Sequence, residues 1–168
     1  MTPAASDPAA TIALEAAATA LLHEVAAGAK RAGVFASVRI SPNRVECEAR
    51  DSAAPACYRF ERLGPDFWVS LVMKDRWQSQ SIEADLVHTG DKLEDLIAEE
   101  VGEAGYEGEA RTPCEHFRSE EKEFTFRSKV PINLSTPVAE SAKAALPWLL
   151  GYEACFRRLG DMEGGDED

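Results

Sequence analysis

The chain has 168 residues, 45% of them hydrophobic and 29% charged, and a formal net charge of −12. That length suits one domain able to bury roughly two thirds of its unfolded surface without a metal or disulfide staple, and the balance of residues excludes a wholly disordered chain. The acids are concentrated: residues 91–123 carry twelve acids against four bases, and residues 161–168 carry five acids and no base. A surface of that sign has no clustered Lys or Arg to neutralise phosphates. Nucleic acid and anionic membrane are therefore not expected partners, whereas a basic protein or peptide is.

Residues 1–6 are expected to be a flexible N-terminus, 7–160 a single α+β domain, and 161–168 a disordered acidic tail. Asp7-Pro8 offers a side-chain acceptor followed by a residue whose fixed φ suits a first helical turn. The helix should run to about Ala32, with Ile12, Leu14, Leu21, Leu22 and Val25 on its apolar side and Gly33 ending it. There is no Lys or Arg before Lys30, while Asp7 and Glu15 are already present, so the segment lacks the basic start of a signal peptide. No apolar run approaches the eighteen or more residues of a membrane span. A cytoplasmic location follows as the expectation, with Cys47, Cys57, Cys114 and Cys155 as reduced thiols rather than a disulfide framework.

From Val34 the period changes to two. Val34–Ile40 and Val45–Ala49 flank the turn residues Ser41-Pro42-Asn43, which reads as a hairpin. Cys57–Leu63 and the more apolar Phe67–Met73 follow, joined at Gly64-Pro65-Asp66; the latter is expected at the centre of the sheet. Ile82, Ala84, Leu86 and His88 alternate as in a strand, yet Ile82 and Leu86 also have helical spacing, so residues 77–88 read as either. Asp91 and Glu94 have the spacing of a capping box before an acidic helix, about Lys92 to Glu103, with Leu93, Leu96, Ile97 and Val101 inward. After a Gly-punctuated acidic loop, a second hairpin joins Glu115–Arg118 to Glu123–Val130. Phe124, Phe126 and Val130 share its core face, and Thr125, Arg127 and Lys129 share the wet one. Thr136-Pro137 starts the last helix, Pro147 should kink or divide it, and Gly160 should end it.

The chemistry-bearing motifs are few. Cys114-Glu115-His116, with His88 and Cys47 as distant partners, supplies only one of the two ligand pairs a zinc site usually needs, so these read as strand residues; no metal site and no cofactor is expected. The chain has no GxSxG, HExxH, phosphate loop or dinucleotide fingerprint. Phe117-Arg118-Ser119 and Phe126-Arg127-Ser128 put an arginine on each arm of one hairpin, and with Arg111 these would form an anion pocket. Trp148, Tyr152 and Phe156 recur every four residues. That stripe either packs on the sheet or forms an exposed groove or dimer contact, and Trp77 is a second candidate contact.

Helix, antiparallel meander, acidic helix, hairpin and final helix, in a small acidic chain, resemble over residues 8–160 the type III secretion chaperone-like fold, including the YbjN family that shares it. The chain departs from that pattern by one or two extra strands before the acidic helix, by its long 105–114 loop and by Pro147. The resemblance implies a non-enzymatic homodimer that binds another polypeptide, here through Trp148, Tyr152, Phe156 and Trp77. The alternative reading is a small-molecule or anion-binding regulatory domain, or an enzyme, using Arg111, Arg118 and Arg127.

Overall fold

The computed structural model describes residues 8–50, 56–73, 93–118 and 123–164. Among these are three helices and six strands: α1 (Pro8–Ala32), β1 (Phe35–Ser41), β2 (Arg44–Ala49), β3 (Ala56–Leu63), β4 (Asp66–Met73), α2 (Leu93–Glu103), β5 (Cys114–Arg118), β6 (Phe124–Val130) and α3 (Val138–Gly164). The strands form one antiparallel sheet in the order β1-β2-β3-β4-β6-β5, so the architecture is α+β. The segment 77–88, with its strand-or-helix ambiguity, lies outside the described residues, as do Trp77 and His88.

Strand pleating sorts the side chains. Val45, Cys47, Tyr58, Phe60, Phe67, Val69, Leu71, Met73, Phe126, Ser128 and Val130 fall on one face by register, and all are buried. On that face lie α1, through Leu21, Leu22, Val25, Ala26 and Ala29, and α3, through Ala145, Trp148, Leu149, Tyr152 and Phe156. The most apolar strand, β4, does sit among the central strands, beside β3 and β6.

Gly33 ends α1 at φ 68°, as its position predicts. At the end of α2, the Tyr106 amide donates to the Val101 carbonyl (3.2 Å) and the Gly105 amide to the Gly102 carbonyl (3.1 Å). That bond pair is a Schellman turn, and Gly105 at φ 114° takes its left-handed position. The turn throws Tyr106 back onto α3, where its ring meets Trp148 edge-on at 5.5 Å.

Three expectations are corrected. Gly160 does not end the last helix, which continues to Gly164, and of the two outcomes open at Pro147 division does not occur, the helix running unbroken from Val138; once nucleated, a helix extends at little cost per residue, and one glycine costs only about 1 kcal/mol. Thr11–Ala32 is, by length and composition alone, apolar enough to cross a membrane. In this structure 39% of its most apolar window is buried, against the sheet and α3. Finally, Ile12 and Leu14, assigned to the inner side of α1, are 69% and 45% exposed.

Candidate interaction surfaces

The exposure of Leu14 has a geometric cause. At 1.5 Å per residue the 25 residues of α1 are about 37 Å long, whereas the seven-residue strand it covers spans about 23 Å. The chain reverses at Gly33, so the excess length projects beyond the far end of the sheet. Residues 11–16 are all exposed, and Ala18 is the first buried side chain. The overhang is tied to the turn ends of the sheet by Glu15–Arg62 (2.8 Å), while Arg62 bonds through its amide to the Asn43 carbonyl (2.9 Å) of the neighbouring turn. Ile40 (39% exposed) and Leu63 (41%) lie at the same end. Four large apolar side chains therefore stand in water at one end of the molecule. Helical periodicity puts Ile12 half a turn from Leu21 but could not reveal the exposure of Leu14, which follows from the mismatch between helix and strand length.

The aromatic stripe goes the other way. Trp148 and Tyr152 are fully buried and Phe156 is 4% exposed, which realises the packing alternative. Phe156 meets Phe126 of β6 at 5.1 Å and Tyr152 at 5.4 Å. The Tyr152 hydroxyl lies 2.6 Å from Ser128 Oγ and 3.5 Å from Cys114 Sγ, so three polar side chains meet beneath α3. Burial pushes the Tyr152 phenol well above its ordinary range, and burial likewise raises the Cys114 thiol. Both stay protonated at neutral pH, when the thiol is a poor nucleophile. The cluster fastens α3 to β5 and β6.

The three arginines are not brought together. Arg118 pairs in register with Phe124 and Arg127 with Glu115, three residues apart on β6 and hence on opposite faces of the sheet. Arg111 bonds Asp95 of α2 at 2.6 Å. Arg118 lies 5.6 Å over the Phe124 ring, and Arg127 is stacked between Trp68 (4.4 Å) and Phe117 (4.8 Å) while paired to Glu115 (3.1 Å). On that face, which no described helix covers, one row crosses all six strands: Arg39, Glu46, Arg59, Ser70, Arg127 and Glu115. Glu46 pairs with two cations of that row, Arg39 at 3.3 Å and Arg59 at 3.6 Å, and with Arg44 at 2.8 Å. Ser70 Oγ in the middle is buried and has no hydrogen-bond partner among the described residues.

Cys114 and His116 share one face of β5 and Glu115 the other; the His116 ring stacks on Phe126 at 4.0 Å. Cys47 stands on β2, at the opposite side of the sheet. Among the described residues no group of three or more His, Cys, Asp or Glu is placed to hold a metal ion. All four cysteines are free thiols.

A cleft of about 570 Å³ opens between the Schellman turn and the outer side of α3. Its walls are residues 104–108 on one side and, at helical spacing, Glu140, Lys143, Ala144, Pro147 and Leu150 on the other. Comparison of the chain with protein-family models, with curated proteins and with solved structures found no match.

Proposed function

We propose that the chain is a non-enzymatic protein-interaction module, chaperone-like in holding another polypeptide, and that it works as a homodimer. The observation that carries this reading is the end of the molecule at the α1 overhang, where Ile12, Leu14, Ile40 and Leu63 are each exposed, Leu63 by register on the opposite sheet face from Ile40. Scattered single apolar residues on a surface are ordinary; several large ones at one end mark an interaction site. Covering the exposed parts of Ile12 and Leu14 stabilises a complex by about 2–3 kcal/mol, close to a hundredfold in affinity. The first two turns of described helix carry a single charge, Glu15, already paired with Arg62, so this end meets an apolar partner without stranding an ion.

The test is the double variant Ile12→Glu and Leu14→Glu. Because both positions are exposed, its circular dichroism spectrum and melting temperature should stay within a few degrees of wild type. Wild type should scatter light with twice the 18.3 kDa chain mass and capture specific proteins from a lysate of its source cells. The variant should lose that capture. A variant that retains every captured protein would refute the assignment of this surface, and a monomeric wild type would refute the homodimer.

A further inference from the structure

The cleft beside α3 carries a separate inference. Its volume lies within the roughly 300–1,000 Å³ of small-molecule sites. Its floor is apolar, with Pro147 buried and Leu150 and Tyr106 half-buried. The wall is held in shape: the Schellman bonds fix the turn, Tyr106 packs on Trp148, and a Cβ at Gly108 would stand only 2.8 Å from the Tyr106 hydroxyl, so glycine lets that ring fold back over the turn.

The polar groups around this floor are mostly acceptors. Glu107 and Glu140 are exposed at its rim. Lys143 approaches Glu140 only to 3.9 Å, with both side chains mostly in solvent, a pairing that water screens. A third acceptor comes from the backbone. In an α-helix the Lys143 carbonyl would accept from the amide of residue 147, but Pro147 has no N–H, so that carbonyl lacks its usual helical donor. Lys143 and Pro147 both line the cleft, which puts this carbonyl at its wall.

We propose that this cleft binds a small organic cation, a primary amine carried on an apolar body. The ammonium hydrogens match the two carboxylates and the Lys143 carbonyl, and the body covers Pro147, Leu150 and the Tyr106 ring. An organic anion would face two carboxylates and one lysine, and a neutral analogue would leave the charge match unused.

Titration calorimetry with 2-phenylethylamine, 2-phenylethanol and 3-phenylpropionate tests this. The amine should bind in the millimolar range or tighter, about tenfold better than the alcohol, with the carboxylate weakest. Glu107→Gln together with Glu140→Gln should reduce the amine to the level of the alcohol. Pro147→Ala restores an amide donor for the Lys143 carbonyl and also trims the apolar floor; it should weaken the amine about threefold more than it weakens the alcohol, and circular dichroism should show the helix intact. Ala144→Leu should weaken both by filling the floor. Equal binding of amine and alcohol, no binding of either at 10 mM (an arbitrary ceiling on the order of the weakest fragment affinities), or a preference that survives the double Gln substitution would overturn the proposal.

Discussion

Three glycines inside helices make a graded test of the packing, because a methyl group at each meets a different obstacle. At Gly151 of α3 a Cβ would stand 2.6 Å from Val101 Cγ2, 2.8 Å from Val101 Cα and 2.9 Å from Val101 N. Two of those atoms are α2 backbone, which no rotamer change can move. Restoring contacts to about 3.5 Å requires α2 to withdraw by roughly 0.7 Å, and overpacking of this kind costs about 1–3 kcal/mol. The exchange of glycine for alanine returns up to about 1 kcal/mol of helix propensity. Gly151→Ala should therefore lose about 1–2 kcal/mol, or roughly 2–8 °C in melting temperature for a chain of this size. At Gly28 of α1 the obstacle is Leu146 Cδ2 at 2.5 Å, the end of a half-buried side chain that can turn aside, so the two effects should nearly cancel. At Gly102 nothing lies within 4 Å, and the propensity gain should appear almost whole. Urea unfolding followed by far-UV circular dichroism should rank Gly102→Ala above wild type, Gly28→Ala beside it and Gly151→Ala below. If Gly151→Ala proved as stable as Gly102→Ala, the close approach of α2 and α3 would be wrong.

Tyr152→Phe should cost about 1–3 kcal/mol, because Ser128 Oγ is fully buried and loses its 2.6 Å partner; adding Ser128→Ala should cost less than the separate effects predict, and additive costs would deny the coupling. Stability should fall at alkaline pH. Burial, with Cys57 and Glu46 as lesser contributors, raises the Cys47 thiol from 9.0 to about 12. The folded chain therefore keeps a proton that the unfolded chain releases above pH 9. The contribution is complete below pH 9 and declines from there toward pH 12, at up to about 1.4 kcal/mol per pH unit. Urea midpoints measured in reductant from pH 7 to 10.5 should show this fall, and Cys47→Ala should flatten it; an unchanged slope would remove Cys47 as its source.

Much of this fold is written locally. Gly33 after a long apolar helix, Ser41-Pro42-Asn43 and Gly64-Pro65-Asp66 between alternating runs, and Thr136-Pro137 before the last helix place elements within a residue or two of where they occur. These signals depend only on neighbours in the chain, on which residues tolerate a given φ and which can cap an amide. What lay beyond the sequence was set by partners distant in the chain. The stripe Trp148, Tyr152 and Phe156 has the same spacing whether it faces water or a sheet, and only the covering of one sheet face by α3 buries it. Arg118 and Arg127 looked like one pocket until the pairing of Glu115 with Arg127 fixed the register and sent them to opposite faces. Leu14 stands two turns before Leu21 on the same side of α1, but α1 outruns the sheet and leaves it in solvent, while Ile12 lies half a turn round from Leu21 and faces outward. The sequence by itself thus determined the kind and order of the elements, through backbone chemistry acting over a few residues. Tertiary structure decided which surfaces remain open, because burial depends on where a second element ends.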